Sequence, residues 1–132
     1  MTIQHWITFL FVGALVILPA LTVMAQGRDA DGTRMQARQV ELGSTHNDSL
    51  SPPQDRADWR MIRINESHQL RLTAAVTGGE LTLTLTNSSG DIIESSSARD
   101  GQSAEITRRL EPGIYYISAE SREALRYRLE IR

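Results

Sequence analysis

The sequence predicts an all-β fold: an antiparallel β-sandwich of about eight strands, preceded by an N-terminal signal helix. Three observations carry that expectation. Residues 81–86 alternate strictly, with Leu81, Leu83 and Leu85 on one side and Thr82, Thr84 and Thr86 on the other. Strand side chains point to opposite faces with a period of two, so this run has an apolar inner face and a hydroxyl-bearing outer one. Further short alternating runs recur at intervals of about 8–12 residues, separated by Gly, Pro, Asn and Asp turns. No run after residue 26 sustains a helical period.

Residues 1–25 read as a secretory leader. An uninterrupted apolar run over residues 7–18 is broken by Pro19, and Val23 and Ala25 suit positions −3 and −1 of a cut before Gln26. The segment before it lacks Lys and Arg, and residues 7–25 carry no charge, so an uncleaved anchor is the alternative. Residues 26–38 are polar and Gly-containing and read as a flexible linker, with Asp29 and Asp31 as solvated tail residues. Residues 39–132 form the folded domain.

Within that domain, residues 39–42 alternate briefly up to Gly43, and residues 44–54 read as turn-rich because Pro52-Pro53 forbids regular pairing. Residues 59–64, WRMIRI, place Ile62 and Ile64 inward and leave Trp59 and Met61 on the opposite face or at the edge. Leu70, Leu72, Ala74 and Val76 alternate cleanly before Gly78-Gly79 turns the chain into the leucine strand. Asn87-Ser88-Ser89-Gly90 turns it back, with Gly90 in the left-handed region, and the strand fades into Ser95-Ser96-Ser97. Asp100-Gly101 suits a type I′ turn and Pro112-Gly113 a type II turn. The last strands put Ala104, Ile106 and Leu110, then Tyr115, Ile117 and Ala119, then Tyr127, Leu129 and Ile131 on their inner faces.

Composition narrows the function classes. There is no cysteine, which removes disulfides, thiolate catalysis and thiolate metal sites together. The formal net charge of −2 gives no basic footprint for nucleic acid. All 14 cations are Arg, which codon usage accounts for.

Taken in order, Asp58-Trp59 before an apolar strand, Leu81-x-Leu-x-Leu-x-Asn-x-x-Gly90-x-x-Ile93, Leu110-x-Pro-Gly113-x-Tyr-Tyr and the closing Tyr127-x-Leu-x-Ile131 resemble the bacterial pre-peptidase C-terminal domain. The resemblance covers residues 39–132 as a free-standing copy behind a leader. It implies a jelly-roll-like sandwich that is not itself catalytic and that helps the secretion of peptidases or their attachment to substrate. Collagen-binding domains of clostridial collagenases are similar and bind calcium through acidic residues near their N-terminal edge, so calcium is the one cofactor the resemblance leaves open. Asp48, Asp55, Asp58 and Glu66 crowd the loops at the entry to the sandwich and are the acids to examine for it.

No catalytic residues are assigned: His46 and His68 fall in expected turns, and no Gly-x-Ser-x-Gly elbow occurs. His46 with Asp48 offers two ligands, short of a transition-metal site. Tyr116 projects outward if Tyr115 is core, Trp59 falls on the opposite face or at the edge, and these two are the candidate ligand contacts. The threonine row reads as the solvent face of a half-buried sheet. The expected function is an exported, periplasmic or secreted, non-enzymatic binding module for a protein or polysaccharide, touching the membrane only through an uncleaved leader. The alternatives are a structural envelope protein that assembles with partner proteins and, third, a hydrolase-associated or weakly catalytic domain.

Overall fold

The computed structural model describes residues 31–132, which form two β-sheets packed face to face. The expected signal helix and the start of the linker lie outside the described residues. A 3₁₀ turn, Arg34–Gln36, leads into β1 (Arg38–Val40), β2 (Thr45–Leu50), β3 (Ala57–Ile64), β4 (His68–Thr77) and β5 (Leu81–Asn87). Then follow β6 (Ile92–Ala98), β7 (Ser103–Leu110), β8 (Gly113–Glu120) and β9 (Leu125–Ile131). One sheet has the order β1-β3-β8-β5-β6 and the other β2-β9-β4-β7. Pairing is antiparallel throughout except between β1 and β3. Among the described residues no helix is long and apolar enough to cross a membrane.

The period-two reading holds in β3, β4 and β9 and over the leucines of β5, while β7 exposes Arg108 on its inner phase and β8 buries Ser118 between Ile117 and Ala119. Leu81, Leu83 and Leu85 of β5 are fully buried, as are Ile62 and Ile117 beside them. The facing sheet contributes Leu70, Leu72, Ala74, Ile106 and Leu129 to the same core. Each buried leucine stabilises the fold by roughly 1.5–3 kcal/mol, and a one-residue slip would move all three of β5 to solvent. Hence the alternation sets register as well as burial.

Four local expectations change. Residues 45–50, expected to be turn, are strand β2, paired with β9 from Thr45↔Glu130 to Leu50↔Leu125. Its inward set is His46, Asp48 and Leu50, and that polar content hides the alternation. The cis Pro52-Pro53 bond falls just after the strand. The serines of β6 stay in the sheet because two of them pair hydroxyl to hydroxyl with β5: Thr82 with Ser97 at 3.0 Å and Thr84 with Ser95 at 3.1 Å. Gly90 has φ +90° as expected, but at Asp100-Gly101 only the glycine has positive φ, which rules out a type I′ turn. Gly113 has no positive φ and opens β8.

Truncating the centre of this core tests the register argument. Leu83→Ala is expected to cost about 2–5 kcal/mol in urea unfolding, from lost burial and the cavity left behind. Thr82→Ala on the half-buried outer face, losing its hydroxyl pair with Ser97, should cost about 1 kcal/mol or less.

Candidate functional site

Two features of the sandwich hold chemistry-bearing side chains. The first is the outer face of the five-stranded sheet. Register places Trp59 opposite Ser118, Ser118 opposite Thr84, and Thr84 opposite Ser95. The adjacent row runs Met61, Tyr116, Thr86. Trp59 and Tyr116 are therefore diagonal neighbours on one face, a separation of about 7–8 Å between backbones. Both rings are half-buried. The N-terminal segment crosses this face: its 3₁₀ turn packs on β3, and the Arg34 guanidinium lies over the Tyr116 ring at 5.4 Å. Arg34 also packs against Gly90, where a side chain would collide with it. Met35 of the turn and Ile92 of β6 stand 98% and 68% exposed at the margin. Both candidate ligand contacts named from sequence thus share one surface with Thr82 and Thr84, whereas Thr86, expected on the solvent face, is buried with its hydroxyl towards the Tyr116 carbonyl.

The second feature is a buried charge cluster between the sheets. Asp58 and Arg60 share the inward phase of β3 with Ile62 and Ile64, and both are buried. Opposite them stand Tyr127 of β9 and Asp48 of β2. Arg60 Nη1 donates to the Tyr127 hydroxyl at 2.7 Å, and Arg60 Nη2 to Asp48 Oδ2 at 3.1 Å. The Tyr127 hydroxyl donates to Asp58 Oδ2, and its ring lies 5.5 Å from the guanidinium. Asp31 completes the cluster. Its carbonyl accepts the Trp59 N–H at 2.8 Å, and its carboxylate meets Arg38 Nη2 at 3.3 Å. Asp31, expected in a solvated tail, is fully buried. Of the acids named from sequence, Asp48 and Asp58 come together; Glu66 stays exposed, and Asp55 is held in a bridge with Ser51. Asp58 is a strand residue, not a turn residue leading into the strand.

Oxygens of Asp31, Asp48 and Asp58 lie within 4.8 Å of one another, the span of a cation's coordination shell. Their engagement argues against calcium. Both Asp48 oxygens are taken, Oδ1 by the Ser49 N–H at 2.9 Å and Oδ2 by Arg60. Asp58 Oδ2 is taken by Tyr127. The two oxygens of Asp31 and Oδ1 of Asp58 are buried without a hydrogen bond. Calcium takes about six to eight oxygens, and among the described residues these three carboxylates already have a guanidinium in their midst, which suits a calcium shell poorly.

Three carboxylates face two guanidiniums here, which leaves one negative charge over. Burial dominates the protonation of the cluster, ahead of its charges and hydrogen bonds. Burial, with Asp48 and Asp31 nearby, pushes the Asp58 carboxyl up to about 7, against the Tyr127 hydrogen bond and Arg60. Burial likewise raises the Tyr127 hydroxyl. His46, whose Nε2 lies 2.9 Å from Ser44 Oγ, is held below its ordinary value by burial and then by Arg60.

No protein-family model matches the sequence, and no curated protein matches it. Among solved structures, the pre-peptidase C-terminal domain of a collagenase from Bacillus anthracis aligns with a TM-score of 0.65 at 20% identity. The alignment covers 73% of this chain and 94% of that one. The sandwich has the pre-peptidase C-terminal fold. Two weaker alignments are to a β-glucosidase from Paenibacillus barengoltzii and to a family-36 carbohydrate-binding module in complex with calcium and xylotriose. The first has a TM-score of 0.41, 9% identity, and covers 73% of this chain and 11% of that one. The second has a TM-score of 0.37, 16% identity, and covers 69% and 92%. Within the pre-peptidase C-terminal fold, the Asp-Trp pair splits its roles: Asp58 enters the cluster and Trp59 the outer face.

The sequence signal for the cluster was present in the phase of β3. If Ile62 and Ile64 point inward, Arg60 and Asp58 must also. Its partners Asp31, Asp48 and Tyr127 could not be read from sequence, because only the tertiary fold brings them together.

Two measurements check this account. Asp58 holds a proton in the folded state up to about pH 7 that the unfolded chain releases near 3.8. Its contribution is therefore fully present below about pH 4 and lost as pH rises through 7. Urea unfolding at pH 5 and pH 8 should show a loss of stability on going to pH 8 that is smaller in Asp58→Asn. Tyr127→Phe removes one acceptor for Arg60 and one donor to Asp58, and should cost about 2–4 kcal/mol at pH 7.

Proposed function

We propose that the protein is a non-enzymatic binding module acting outside the cytoplasm, and that it recognises a polysaccharide on the outer face of its five-stranded sheet. The observation that carries this reading is the placement of Trp59 and Tyr116 as diagonal neighbours beside the Thr82–Ser97 and Thr84–Ser95 hydroxyl pairs. Sugars present apolar ring faces edged with hydroxyls. Two aromatic rings next to rows of hydroxyls answer both features on one surface. Half-buried rings also lose little side-chain freedom on binding, which suits them as anchors. Arg34, already stacked on Tyr116, adds a donor at the margin of the face. The leader read from sequence supports a place in the periplasm or the medium.

Pull-down of the purified protein with insoluble polysaccharides, followed by titration with oligosaccharides of the retained polymer, tests this reading. Trp59→Ala and Tyr116→Ala should each weaken binding by about tenfold or more while the far-ultraviolet spectrum stays that of a β-protein. Leu42→Ala, away from the face, should leave binding unchanged. Retention that survives both ring substitutions would sink the assignment of this face. Binding to a protein in place of any polysaccharide would shift the ligand class.

A further inference from the structure

We infer that Arg60 is the resident cation of the Asp31–Asp48–Asp58 cluster, so that this sandwich closes its N-terminal edge without a divalent metal and excludes one from that position. This rests on the cluster alone, independently of the polysaccharide reading.

Arg60 is only 1% exposed, and nothing in the alternation of β3 requires a charge there. Burying a guanidinium is costly unless its hydrogen bonds and charge are answered. Here its two terminal nitrogens are answered by the groups that would otherwise ligate a cation, while Nε has no hydrogen-bond partner among the described residues: Asp48 Oδ2 accepts from Nη2 directly, and Asp58 is reached from Nη1 through the Tyr127 hydroxyl. The guanidinium thus sits between β2, β3 and β9, where one charge faces carboxylates from both sheets. The Tyr127 ring beneath it adds a cation–π contact.

A divalent ion among these oxygens would meet a fixed positive charge that is already hydrogen-bonded to Asp48. It would have to displace Arg60 from Asp48 to gain that ligand, leaving a guanidinium buried without a charged partner. Arg38 acts from the other side, pairing with Asp31 from a side chain that stays 54% exposed. The two oxygens of Asp31 and Oδ1 of Asp58 accept no hydrogen bond. Without Arg60, the same three carboxylates would lack a cation at their centre and would demand one from solution.

The experiment is thermal unfolding of the purified protein and of Arg60→Met at neutral pH, each with millimolar calcium and with a chelator. The unsubstituted protein should melt at the same temperature in both, and terbium should give no saturable luminescence with it. Arg60→Met should melt lower in chelator and rise by about 5 °C or more with calcium. A calcium-dependent rise in the unsubstituted protein would overturn the inference, as would a folded Arg60→Met indifferent to calcium. Should Arg60→Met fail to fold in either condition, Asp31→Asn is added to it to remove the excess charge. Recovery of a cooperative transition without calcium supports the inference, and no recovery overturns it.

Discussion

The two sheets of this sandwich are joined at one end by a buried ionic bridge, and the chain's N-terminal edge is fastened to the same bridge. Arg60 spans from β3 to Asp48 on β2 and Tyr127 on β9, while Asp31 brings in the segment ahead of β1. Elsewhere the core is aliphatic and would tolerate volume-conserving exchange. At the bridge it would not. Removing one member of a buried ion pair costs about 3–5 kcal/mol, because the partner is left charged in a dry environment. That constraint fixes where β2 must lie against β9 and how far the N-terminal segment can depart from β3.

The bridge also shapes the opposite side of β3. Because Asp58 and Arg60 are held inward, Trp59 and Met61 must point outward on the same strand. Asp31 bonds to the Trp59 backbone, and seven residues later Arg38 pairs with Arg60 in β1. Between those two anchors the chain makes the 3₁₀ turn that lays Arg34 over Tyr116. The outer face and the interior cluster are thus two consequences of one strand phase. The proposed ligand surface is pre-organised by a network that need not touch the ligand.

Several strands were legible from alternation alone because apolar residues at every second position have only one favourable placement. The leucine strand, the strand from Leu70 to Val76 and the last strand follow that rule. β2 was not legible, since its inward positions carry His46 and Asp48, which read as turn residues out of context. The serines of β6 failed for a related reason: their place in the sheet comes from hydroxyl partners on β5. Trp59 and Tyr116 were each readable as candidates for the outer face, but their shared face and adjacency depend on β3 pairing with β8.

By itself, then, the sequence determined the fold class and the inner faces of most core strands, and it offered the two rings as outward candidates. Those properties follow from side-chain hydrophobicity repeating at the strand period, which is local information. Only the tertiary structure decided that Asp31 is buried, that Asp48 and Asp58 meet around Arg60, and that Glu66 does not. Those outcomes depend on contacts between residues far apart in the chain, where the cost of burying each charge is set by partners that only folding supplies.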